Sequence, residues 1–170
     1  MAAASAGVSA HAAEAPALAD AVRLEQNKAL VRGYLTEVSN QGNLAAAPRY
    51  FAPDVSFNGS KDLRPFLAFR QLLRSALPDH RLTVEDQVAE GDRVVTRVRF
   101  EATHLQPYAG IAPTGRRLSY SGVAIDRIAD GKVVEMWHMA NPLGLPEQLK
   151  ALLSAPTAET PGKAPAKPQD

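Results

Sequence analysis

The hydrophobic period of this chain changes once, at Pro78. Before it, apolar residues recur at helical spacing; after it, they alternate. Val22, Leu24, Leu30, Val31, Tyr34, Leu35 and Val38 fall on one stripe, which predicts a helix from Asp20, a capping residue, to about Asn40, with Gly42 as its stop. A second helix is predicted over Leu44–Phe51, kept short or kinked by Pro48. Asp62 caps a third, with Pro65 in its tolerated first turn and Leu63, Phe66, Leu67, Phe69, Leu72, Leu73 and Leu77 on its apolar face. Beyond Pro78, "RLTVEDQVAE", "RVVTRVRFEATH", "RLSYSGVAIDRIA" and "KVVEMWHMAN" read as strands. Gly91-Asp92 and Asp130-Gly131 are hairpin signals, and "LQPYAGIAPTGR" is a longer connection. In the second strand Val94, Val98, Phe100, Ala102 and His104 share one face, and Arg97, Arg99 and Glu101 the other. A short helix from about Pro146 to Leu153 closes the domain. Helices first and an antiparallel meander afterwards make an α+β domain, a curved sheet wrapped over a few helices. The concave space between the layers suits a small molecule.

The ends differ from this middle. The first 19 residues are almost all small, and "AHAAEAP" resembles the small-residue end of a secretory signal without its basic start or long apolar segment. That segment is either a truncated signal or a flexible alanine-rich extension. The first alternative favours a periplasmic or secreted protein and the second a cytoplasmic one. Residues 155–170 carry Pro156, Pro161, Pro165 and Pro168 with nothing to bury and are expected to be disordered. The domain is thus placed at residues 20–154.

A net charge of +1 shows no acidic or basic excess that would point to nucleic acid or a membrane surface. With no cysteine in the chain, disulfides and thiolate chemistry are excluded. Phosphate loops, nucleophile elbows and His-Glu-x-x-His motifs are likewise missing from the sequence. His80, His104 and His138 are of the right type for zinc, but no two have ligand spacing within one element and no carboxylate cluster joins them, so no metal is expected. His80, in a loop, is expected to be solvated.

His138 is the polar residue that stands out, flanked by apolar neighbours in "VVEMWHMAN". Alternation puts it with Val134 and Met136, opposite Trp137 and Met139. It is either a proton-transfer group, kept neutral by burial, or a core histidine held by a neighbour. His104 can orient a substrate carbonyl, pair with His138, or tie down a loop. Tyr120 can hold an oxyanion through its hydroxyl. Tyr108, Trp137 and Asn141 are candidate pocket walls, with Asn58 and Tyr34 added as weaker ones. Trp137's parity instead favours the outer side of the sheet or an oligomer interface. Arg97 and Arg99 are read as exposed, or as buried at such an interface with Glu101 or Glu135.

The strings "NKALVRGYLTEVSNQGNLAAAPRYFAPDV", "LPDHRLTVEDQVAEGDRVVTRVRFEATH" and "GIAPTGRRLSYSGVAIDRIADGKVVEMW" are similar to the SnoaL-like polyketide cyclases, or ester cyclases, of the nuclear-transport-factor-two-like superfamily. The resemblance runs from about Gln26 to Leu149. It implies a cone-shaped α+β barrel of helices and a strongly bent antiparallel sheet around a deep pocket, assembled as a homodimer or larger oligomer. It also implies aldol-type ring closure of an apolar, polyketide-like molecule without metal or organic cofactor. The acid/base aspartate of these cyclases falls at His138, their assisting histidine at Ala124, and a further acidic position at Asn141. The "ATH" ending at His104 resembles a "GTH" common in the family. The expected activity is therefore general acid/base chemistry on a carbonyl-bearing substrate (cyclisation, isomerisation, hydration or hydrolysis), with His138 in the aspartate's place and His104 assisting. The alternative is a binding or scaffold domain that has lost the chemistry.

Overall fold

The computed structural model describes residues 6–140 and 150–151. Helix α1 (Ala6–Tyr34) continues as a π-helical turn, Leu35–Asn40. A 3-10 turn, Leu44–Ala46, leads into the short α2 (Ala47–Tyr50), strand β1 (Phe51–Phe57) and α3 (Arg64–Ala76). The remaining strands are β2 (Arg81–Glu90), β3 (Arg93–Thr103), β4 (Arg117–Ala129) and β5 (Lys132–Ala140). They form one open sheet in the order β1-β5-β4-β3-β2, with the helices packed on one side. This is the expected α+β arrangement.

Several particulars depart from the sequence reading. The first helix does not start at Asp20; alanine, the best helix former, carries it back to Ala6. Asp20 instead pairs with Arg23 one turn on, at 3.1 Å. The sheet is mixed rather than wholly antiparallel, because β1 runs parallel to β5 at the edge. Its Pro53 hides the strand signal, and an edge position tolerates a residue that cannot donate to a ladder. Of the predicted closing helix only residues 150–151, both helical, are described.

The turns follow their local chemistry. Gly42 ends the π turn at φ 72°, and a side chain there would run into the Arg74 guanidinium. Asp130 and Gly131, at φ 49° and 69°, make the β4–β5 turn, as a two-residue hairpin with two left-handed residues requires.

The core lies between the helices and the inner face of the sheet. Tyr34 meets Phe51 at 5.0 Å between ring centres, and Phe66 meets Phe51 at 5.8 Å and Phe57 at 5.4 Å. These rings join α1, β1 and α3. On β3 the buried set is Val94, Thr96, Val98, Phe100 and Ala102, strict alternation as predicted. On β5 the alternation is interrupted. Arg127 pairs Glu135 but Ile128 pairs Val133, so Val134 is an extra residue. The bulge turns Val133 inward in Val134's place, while Met136 and His138 keep the inner face.

On the outer face Arg97 and Arg99 are exposed and both pair with Glu85 of β2, not with Glu101 or Glu135. Glu135 accepts from Arg127 at 3.1 Å and from the Trp137 indole at 2.9 Å. His80 is buried rather than solvated: its two ring nitrogens face the carbonyl oxygens of Leu77 and Ser39 at 3.0 and 3.1 Å. It ties the end of α3 to the π turn.

Candidate active site

The inner face of β4 presents Tyr120, Gly122, Ala124 and Asp126, and that of β5 presents Met136 and His138. Ala124 and His138 are direct cross-strand partners, as are Asp126 and Met136. Over them lie Tyr34 of α1 and Arg70 of α3. Tyr120, Asp126, His138, Tyr34 and Arg70, from four elements, thus bring polar groups together among apolar neighbours.

His138 is half-buried. Its backbone N–H donates to Asn58 Oδ1 at 2.8 Å, and its ring has no hydrogen bond among the described residues. Burial, reinforced by the Arg70 charge, pulls its pKa down to about 4. The ring is therefore neutral at neutral pH, with a free lone pair.

Asp126 is fully buried. The Tyr34 hydroxyl donates to its carboxylate at 3.1 and 3.3 Å. Burial drives its pKa up to about 7, against the opposing effect of that hydrogen bond. Tyr34 is pushed well above 10 by burial and the neighbouring Asp126 charge. A carboxyl group that titrates near neutrality inside a protein is a poised proton donor and acceptor.

Arg70 is 5% exposed. Its guanidinium packs on Phe66, 4.9 Å from the ring centre, and lies 6.0 Å from that of Phe69. Nε has no hydrogen-bond partner, and no carboxylate lies within ion-pair distance among the described residues. Its charge acts on Tyr34, Tyr120 and His138. Tyr120, half-buried and stacked on Phe100 at 4.6 Å, is pushed up to about 12 by burial and stays a neutral donor.

The other candidates do not all gather here, though Tyr108 lies near enough to Tyr120 for its charge to act there. His104 lies eight residues along the chain from Thr96, the register partner of Ala124, which is about 26 Å of extended strand. Its Nδ1 meets Thr114 Oγ1 at 3.1 Å, so the ring is turned to the long loop rather than to His138. Trp137 is on the outer face, 46% exposed. Asn58 is exposed at the end of β1, at φ 48°, and clamps the β5 backbone through Met136 O and the His138 N–H. Tyr108 is buried in the long loop, bridged to Ile111. Asn141 lies outside the described residues. Among the described residues no group of three histidine, aspartate or glutamate side chains is placed to hold a metal.

Two site residues escaped the sequence reading, though both carried a signal. Asp126 occupies an inward parity position of β4, between Ala124 and Ile128. Arg70 is spaced four residues after Phe66 and three before Leu73, on the stripe that helical periodicity assigns to the core.

Residues 29–149 match the SnoaL-like polyketide cyclase family over more than half of the chain. The chain belongs to that family. No curated protein matches the sequence. Among solved structures, AclR from Streptomyces galilaeus, a proposed hydroxylase, is 30% identical, with 79% of this chain and 87% of that one covered at a TM-score of 0.68. IdmH from Streptomyces antibioticus, a proposed polyketide cyclase, is 28% identical over 74% of this chain and 99% of its own, at a TM-score of 0.66. TsrD from Streptomyces laurentii is 28% identical over 75% and 96%, at 0.65. The nuclear-transport-factor-two-like cone fold expected from the sequence is thus established. Within it His138 faces Ala124 directly across the β4–β5 ladder.

Proposed function

We propose that this member of the SnoaL-like family is a cofactor-independent enzyme that moves protons on an apolar, carbonyl-bearing molecule held between α1, α3 and the inner face of β4–β5. The observation that carries the reading is His138: inward-facing, half-buried, neutral, its ring without a hydrogen bond among the described residues, near a buried Tyr34–Asp126 pair. The free imidazole nitrogen takes a proton from the carbon next to a carbonyl. Tyr120 donates to the enolate oxygen that develops, and the His138 imidazolium then returns the proton to the new alkoxide in ring closure or to a different carbon in isomerisation. A base with a pKa of about 4 is weak, so the carbon acid must be activated, as between two carbonyls of a polyketone. Aldol-type ring closure and isomerisation both start from that enolate. AclR and IdmH, described as a hydroxylase and a polyketide cyclase, are of the same small-molecule class.

The test is deuterium uptake at the α-carbon of an aryl 1,3-dicarbonyl compound, followed by NMR. Wild-type protein is expected to accelerate it and His138→Ala to lose that acceleration; equal rates in the two would end the catalytic reading. A binding domain without chemistry is the second reading, and one observation favours it: Ala124, opposite His138, supplies no assisting group. Self-association belongs to the proposal as well. Val95, Ile125 and Trp137 lie side by side across β3, β4 and β5 on the outer face, and Val95 and Trp137 are exposed.

A further inference from the structure

We propose that Arg70 is the anchor for a carboxylate on the ligand, so that the molecule taken into the cone is an apolar carboxylic acid rather than a neutral ketone. The inference rests on reading the interior as the ligand site. A guanidinium that is 5% exposed, with an Nε that meets no acceptor, is costly to bury. Among the described residues nothing in reach offsets its charge. Tyr34 and Tyr120 are neutral phenols, His138 is a neutral imidazole, and Asp126, bonded to Tyr34, makes no ion pair with Arg70. Phe66 and Phe69 hold the cation against their rings without neutralising it. The planar fork of an arginine fits a carboxylate with two parallel hydrogen bonds. Tyr120 and His138, which feel the Arg70 charge, face inward and are only half-buried, which gives a ligand a way in. The half-buried rings of Phe69 and Tyr120 near Arg70 ask that the rest of the ligand be aromatic or hydrocarbon.

The experiment compares 2-naphthoate with its neutral isostere 2-naphthamide by calorimetry on the full chain. The acid is expected to bind about 10- to 100-fold more tightly, the usual worth of a hydrogen bond to a charged group. Arg70→Met removes that preference, and Arg70→Lys, which keeps the charge and loses the fork, retains part of it. Two readouts need no variant. The Arg70 Nε–H resonance shifts on adding the acid and not the amide, and the His138 ring titrates at higher pH once the adjacent charge is neutralised. Equal affinity for acid and amide in the wild type overturns the proposal. So does a preference for the acid that survives in a folded Arg70→Met, or failure of 2-naphthoate to bind at millimolar concentration. Loss of acid selectivity with deuterium uptake intact leaves the proton-transfer reading standing, and the reverse result leaves the anchor standing.

Discussion

The two faces of β4 and β5 carry the same kinds of residue and treat them in opposite ways. Outside, Glu135 is held below the usual carboxylate range by the Trp137 indole and Arg127, in contact with water. Inside, Asp126 has only the Tyr34 hydroxyl, and burial pushes it up to about 7. Outside, Arg97 and Arg99 share Glu85; inside, Arg70 has no carboxylate within ion-pair distance among the described residues. The side chains differ little in chemistry, so the difference comes from solvent. Water and a partner are both available on the convex face and both scarce on the concave one. Charge on the outside maintains solubility. The inner groups hold protons and charge in states that a ligand can change.

The largest break in this comparison is expected from His138→Ala. If the inner face does chemistry, turnover should fall about 10²- to 10⁴-fold, the range for a lost general base, with the melting temperature little changed. Deuterium-uptake rates and a thermal melt on the same preparation check it.

The next largest effect is on pH dependence. Asp126 has a higher pKa folded than unfolded, so its contribution to stability is complete below 3.8 and is lost as pH rises through about 7. His138 has a lower one folded, so its contribution is complete above 6.5 and is lost as pH falls through about 4. Each is worth roughly a few kcal/mol across that window, and they oppose one another. Asp126→Asn should therefore uncover stability that rises with pH, and His138→Gln stability that falls with it. Urea unfolding at half-unit steps reads both slopes, and slopes of one sign in both variants would contradict the assignment.

Tyr34→Phe sharpens the contrast more locally. It removes the hydroxyl that donates to Asp126, at a cost of about 1–3 kcal/mol for an unsatisfied buried acceptor. It should also move the Asp126 titration above about 7, which carbon NMR of that carboxyl follows. The smallest effect is expected outside: Glu135→Gln breaks the pair with Arg127 and should leave stability nearly unchanged, as for a solvent-screened pair. A larger loss there would mean that the outer face is covered, as a dimer would cover it.

Much of this was legible beforehand because it depends on short-range rules. The alternation in "RVVTRVRFEATH" put Val94, Val98, Phe100 and Ala102 inside, and there they are. The Asp130-Gly131 turn fixed the β4–β5 hairpin and its first pairs, Ala129 with Lys132 and Ile128 with Val133, whereas the extra residue at Val134 is what brings His138 rather than Trp137 opposite Ala124. Other features depend on partners distant in sequence. The edge strand Phe51–Phe57 exists because β5 is beside it. The extra residue at Val134 is defined only against Ile128 and Arg127. His104 and His138 looked like a pair by residue type, and the register along β3 and β4 separates them.

By itself, then, the sequence determined which faces are apolar, where the helices give way to strands, and that His138 shares a face with Met136. Periodicity and turn chemistry are local, and they need no knowledge of what packs against them. Only the tertiary structure decided which polar groups lack water. Asp126 and Arg70 read as ordinary charged residues until α1, α3 and the sheet close over them. Desolvation arises from all of the surrounding elements at once, and for that reason it cannot be read from any one of them.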